Sequence, residues 1–150
     1  MKSVRSITGM PVIMHPSGAR AGRVGRVVLN GRLDALDGLW VTGRLGGRKY
    51  LAAEDIELIG DYSVLAKRLG RRSPEGDAFG IRRAVDMSGS LVGAVVGAYI
   101  GKDDLRVTGI EVSKGFFEDI FRLREVISNY AARPSEGDVI IFDEGEMDYE

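Results

Sequence analysis

A chain of 150 residues, 44% hydrophobic and 29% charged, holds material for one ordinary domain or two very small ones. Its net charge of −1 gives no global attraction to nucleic acid or to an acidic membrane. The absence of cysteine excludes disulfides, thiolate metal sites and cysteine nucleophiles, so core packing must hold the chain together, as suits a reducing cytoplasm. No apolar run approaches the ~18 residues that cross a bilayer. Residues 1–8 carry bases but no long apolar core of a signal peptide, and the chain is expected to be cytoplasmic.

Residues 3–14 alternate loosely and predict a first strand, either continuous or broken at Gly9-Met10-Pro11, with Pro11 at a start or an edge because it lacks a backbone donor. His15, Pro16, Ser17 and Gly18 predict a turn. Residues 22–29 predict a strand, and Asn30-Gly31 a tight hairpin, with the returning strand running from Leu33 through Leu36. Leu39, Trp40 and Val41 continue the β pattern until Gly43, Gly46 and Gly47 make a loop. A short strand at Tyr50 and Leu51 and one helical turn at residues 52–55 precede two arms, 56–59 and 62–65, around Gly60 and Asp61. Turn signals about 8–12 residues apart are those of a small all-β barrel or sandwich.

Residues 67–79 lose this periodicity and are read as a linker punctuated by Gly70, Pro74 and Gly76. Charge is uneven here: Lys67, Arg68, Arg71, Arg72, Arg82 and Arg83 face only Glu75 and Asp77. From Glu136 onward there are seven acids and no base.

Beyond the linker the first pattern returns at an offset of 71 residues. Gly9 matches Gly80, Ser17 and Gly18 match Ser88 and Gly89, and Gly22 matches Gly93. Val24 matches Val95, Gly38 matches Gly109 and Val41 matches Val112, with Leu29/Ile100 and Leu39/Ile110 as conservative partners. Most of these identities are glycines, which a shared backbone path requires. The copies diverge after Ser113, where Phe116, Phe117 and Phe121 follow; Arg124 to Ile127 aligns loosely with residues 48–51, and residues 139–142 close the unit. The predicted organisation is a first domain at 1–66, the linker at 67–79, a second domain at 80–143 and an acidic tail at 144–150.

The run Gly22-Arg-Val-Gly-Arg-Val followed by Gly38-Leu-Trp-Val resembles the PRC-barrel pattern. So does Ser88-Gly-Ser-Leu-Val-Gly93 followed by Val107-Thr-Gly-Ile-Glu-Val-Ser113 and Gly115-Phe-Phe-Glu-Asp. The resemblance covers residues 6–65 and 80–142, and the second copy matches better. It implies two small antiparallel β-barrels in tandem, of about six strands each. Relatives include the cytoplasmic part of the reaction-centre H subunit and the C-terminal half of the bacterial ribosome maturation factor M. In both the barrel is a docking module without chemistry of its own.

The residue types agree with a protein that is not an enzyme and has no cofactor. His15 is the single histidine, set before a proline in a turn, and one ring makes neither a metal site nor a triad. The carboxylate pairs Glu54-Asp55, Asp103-Asp104 and Glu118-Asp119 fall in loop signals, where solvated acids are common. The basic linker has no interleaved aromatics to stack on bases. Trp40, Phe116, Phe117 and Phe121 are the large apolar residues that either cap the barrel ends or meet a partner. The expectation is an adaptor that binds a protein partner and can form homo-oligomers. The alternative is an RNA- or ribosome-associated maturation factor that uses the basic linker.

Overall fold

A computed structural model describes residues 1–114, 124–133 and 136–142. The chain is all-β and forms two small curled sheets, each a barrel-like unit. The first unit comprises β2 (Pro11–Met14), β3 (Arg20–Leu29), β4 (Leu36–Thr42), β5 (Arg48–Ala52), β6 (Ile56–Ile59) and β7 (Val64–Ala66), with a 3-10 turn at Ala53–Asp55. The second comprises β9 (Arg82–Val85), β10 (Leu91–Ile100), β11 (Val107–Ser113), β12 (Arg124–Ile127), β13 (Tyr130–Arg133) and β14 (Glu136–Ile141). Among the described residues no helix is long and apolar enough to cross a membrane.

The strand orders are the same, β5-β4-β3-β2-β7-β6 and β12-β11-β10-β9-β14-β13. β3 and β4 reappear as β10 and β11 at the 71-residue offset, residue for residue. Even the irregularities repeat: pairing shifts between Val24 and Arg26 and between Val28 and Leu29, and again between Val95 and Gly97 and between Tyr99 and Ile100. Bulges at the same places bend both long strands the same way. Gly18 and Gly89 hold the same turn with φ of 81° and 86°. The first turn is one residue longer: Met14 N–H donates to Ala19, whereas Asp86 N–H donates to Ser90. Pro11 therefore opposes Arg23, while Arg83 opposes Ala94, and the match of Gly9 with Gly80 is one residue out of step with the fold.

Three expectations are corrected. The sheets are mixed rather than antiparallel, because β2 pairs β7 and β9 pairs β14 in parallel. Residues 3–14 are not one strand: β1 (Lys2–Ser3) leads into α1 (Val4–Ile7), whose start is capped by the Ser3 hydroxyl accepting from Ser6 N–H. The hairpin after β3 is a wider loop, closed by Asn30 N–H on the Ala35 carbonyl and by the Asn30 side chain on the N–H groups of Asp34 and Ala35. Leu33 sits inside that loop at φ 56°, and the returning strand starts only at Leu36. The stretch read as a linker, residues 67–79, contains β8 (Asp77–Ala78).

The two units are joined by exchange. β1, which leads into the first unit, pairs with β10 of the second, Lys2 opposite Ile100 and Ser3 opposite Tyr99. β8, which leads into the second, pairs with β3 of the first, Asp77 opposite Leu29 and Ala78 opposite Val28. The 71-residue offset converts each partner pair on the long strands into the other. Between them Ala35 and Arg106 form an isolated bridge, flanked by Leu36 N–H on Leu105 and Val107 N–H on Asp34, both 2.9 Å. These two bonds also interchange under the offset, so a local two-fold relation passes through the bridge. One continuous buried cluster includes Ile7, Val12, Leu39 and Val64 together with Val95, Ile110 and Val139.

Tyr130 ties the units further: its hydroxyl donates to the Leu33 carbonyl at 2.5 Å, and burial, with Asp34 nearby, pushes the phenol up to about 12. Tyr130→Phe is expected to lower stability by ~1 kcal/mol, read as a shift of the urea midpoint at constant slope, because a part-buried carbonyl loses its partner.

Candidate functional site

The outward face of β3, β4 and β5 is organised by strand alternation. Leu39, Val41 and Leu51 point into the core and are at most 2% exposed. Their neighbours Trp40 and Tyr50 therefore point out, paired across β4 and β5, and the bulge at Gly25 brings Arg26 opposite Trp40. The two rings meet edge to face, centroids 5.1 Å apart, and the Arg48 guanidinium lies 4.6 Å from the Trp40 centroid. Val28, Tyr50 and Ala52 form a second small buried cluster on this face, with Trp40 against it. Trp40 thus lies on the side of the barrel rather than over its end. The other three residues expected to face a partner, Phe116, Phe117 and Phe121, lie outside the described residues.

Next to Trp40 a cleft of about 1040 Å³ opens between the start of β3, the end of β4 and the β4–β5 loop. Gly22, Gly25, Gly43 and Gly47 lie along it, and Arg20, Arg23, Arg44, Arg48 and Lys49 line it. Arg23 donates to the Gly9 carbonyl at 2.9 Å. All five cations are exposed, and among the described residues none has an acidic partner within ion-pair distance. Gly22 lets β4 approach closely: a Cβ there would stand 2.1 Å from the Thr42 carbonyl oxygen. Gly93 plays the same part against Ser113 at 2.2 Å.

The second unit shows what the backbone itself requires. At the same register Arg20, Arg23 and Arg26 become Leu91, Ala94 and Gly97, and Trp40 becomes Glu111. Glu111 faces Arg5 of the N-terminal segment, Nη2 to Oε1 3.3 Å. The same fold is built without the three β3 arginines or the ring, whereas Arg48 has its counterpart in Arg124, so neither the β3 arginines nor Trp40 is there for folding. Sequence reading missed this group because it followed what the copies share. The signal was in what they do not: arginine at every third position of β3, and none at the equivalent positions of β10.

The basic linker is not a free polycation. Arg72 crosses the outer face 5.7 Å from the Tyr50 ring centroid. It donates through Nε to Glu54 at 2.7 Å, through Nη1 to the Asp37 carboxylate at 3.3 Å and through Nη2 to the Asp37 carbonyl at 3.0 Å. Asp37, the bulge residue of β4, is 8% exposed and also accepts from the Tyr50 hydroxyl and from Glu75 N–H at 3.1 Å. Gly70 N–H donates to the Tyr50 carbonyl at 2.8 Å, so residues 70–75 are clasped onto the sheet. The hydrogen bond from Arg72 holds the Glu54 carboxyl down at about 2, and the pair raises Arg72 in turn. Burial, then the bond to Asp37, raises the Tyr50 phenol.

Of the carboxylate pairs, Asp55 is only 4% exposed rather than solvated, with Arg68 at 3.6 Å and Arg71 at 4.0 Å. Asp104 accepts from Arg106 N–H within its own turn. Glu118 and Asp119 lie outside the described residues. His15 Nδ1 stands 3.4 Å from Glu57 at the surface. Among the described residues no three of His, Asp and Glu gather as metal ligands. No protein-family profile matches the chain, and no curated protein is significantly similar to it.

Proposed function

We propose that this chain is a non-enzymatic tandem PRC-barrel adaptor of the cytoplasm that binds a protein partner through the outer face of its first barrel. The observation that supports this reading is the contrast between two copies of one backbone. One copy presents Trp40 among cations that have no acidic partner among the described residues, and the other presents small and apolar residues with a paired glutamate. A side chain that the duplicated fold does without is free to serve recognition. The alternative, an RNA-binding role for the linker, is the less favoured reading, because Arg68, Arg71 and Arg72 face Asp55, Glu54 and Asp37.

The test is affinity capture by the full chain from ribonuclease-treated lysate. The expected result is one protein, held at stoichiometric amounts by the wild type and by Glu111→Ala, and reduced at least ~10-fold by Trp40→Ala. Equal capture by all three forms, or capture abolished by ribonuclease, would refute the reading.

A further inference from the structure

We infer that the partner segment taken by the first barrel is an extended acidic peptide, lying along β3 in the cleft between Arg20, Arg23, Arg44 and Arg48. The inference rests on the adaptor reading and names the chemistry of its partner. Three features of the cleft carry it.

The first is charge. Arg20, Arg23, Arg44, Arg48 and Lys49 line one cleft, and among the described residues none is paired with an acid. Gathering like charges is unfavourable, and an incoming set of carboxylates relieves that repulsion. Four of the five are arginines, whose planar fork binds carboxylate in two-point fashion.

The second is shape. The cations on β3 begin at Arg20 and continue through Arg23 to Arg26, a path of about 20 Å along a strand. An extended peptide of about six residues has the same length and presents alternate side chains to one side, so several carboxylates can face the row of arginines. Gly47, whose Cβ position is open, leaves room for a main chain to lie close to the barrel at this side of the cleft.

The third feature weighs against a long polyanion. The whole chain carries a charge of −1, with seven acids from Glu136 onward, so the attraction is local and does not extend over the molecule. No aromatic side chain lines the cleft among the described residues, and the neighbouring Trp40 ring is engaged by Arg48 on its face and Tyr50 at its edge, which leaves little platform for successive bases. A short acidic segment needs neither a wide field nor a stack.

The test uses fluorescence anisotropy with the full chain and four labelled probes. These are an eight-residue peptide of alternating Glu and Asp around one Tyr, its Gln/Asn counterpart, its Lys counterpart, and a twenty-nucleotide polyuridine. Each is titrated against the wild type, against Arg20→Leu with Arg23→Ala, and against Trp40→Ala. The double variant installs the second barrel's own residues, so the fold tolerates it. The acidic peptide is expected to bind the wild type and to lose at least ~10-fold on the double variant, with affinity falling as salt rises. Trp40-dependent binding of the neutral or basic peptide without binding of the acidic one would overturn this inference and leave the adaptor reading standing. Polyuridine binding more tightly than every peptide, with the same dependence on Arg20 and Arg23, would overturn both. Failure of all four probes would also refute both.

Discussion

Gly22→Ala is expected to destabilise the first barrel by ~3 kcal/mol or more, and Gly93→Ala to do the same in the second. The new Cβ would lie 2.1 Å from the Thr42 carbonyl oxygen in one case and 2.2 Å from the Ser113 carbonyl oxygen in the other. Both obstacles are backbone, in strands held by ladders on either side, so no rotamer change relieves them. Gly25→Ala is the control, because its Cβ meets only the Thr42 hydroxyl, a side-chain end that can turn away. Urea unfolding followed by circular dichroism reads the difference. A loss below ~1 kcal/mol in either barrel would show that the close approach is not what the paired glycines are for. Because one apolar cluster includes residues of both units, the two substitutions are expected to lower a single cooperative transition.

The second large effect is expected at the clasp. Asp37→Ala removes the acceptor shared by Tyr50, Arg72 and Glu75 N–H, which ties the segment between the barrels to the sheet. Stranding a part-buried guanidinium and a buried phenol is expected to cost ~3 kcal/mol. Arg72→Ala is expected to cost less, ~2 kcal/mol, since Tyr50 and Glu75 still satisfy Asp37. The double variant should cost less than the sum, because the second change removes a group that has already lost the Asp37 carboxylate and keeps only Glu54 and two backbone carbonyls. Full additivity would mean that Asp37 and Arg72 act separately. The clasp also has a pH signature. Glu54 is held below its ordinary value, so its contribution is whole above the unfolded carboxyl range near 4.5 and fades as pH falls toward about 2. The Arg72 Nε–H resonance should move over that window and stay still in Glu54→Gln. The stability change itself will be small, because the Glu54 side chain is 61% exposed and screened by solvent.

The barrel strands were legible in the sequence where the backbone makes local demands. Alternating aliphatics marked β3, β4, β10 and β11, and turn and crossing glycines marked where they bend and touch. Repetition of those demands at one offset revealed the duplication, since the same backbone path asks for glycine at the same places. Register within β2 and β9 was not legible, because a one-residue difference in turn length shifts the pairing without altering either strand's pattern. The basic cleft was half visible. Its arginines stand in plain view along residues 20–26, but only the pairing of β3 with β4 and β5 sets Arg26, Trp40 and Arg48 on one face.

Composition, periodicity and the repeat by themselves determined an all-β chain built from two like units, because strand formation and tight turns answer to neighbours along the chain. The tertiary structure alone decided how the units join and which cations stay free. β1 meets β10 across 97 or so positions and Arg72 meets Asp37 across 35, distances over which no local pattern carries information about pairing. Only the folded geometry could show that the linker's arginines meet buried acids, while those of β3 face outward with no acidic partner among the described residues.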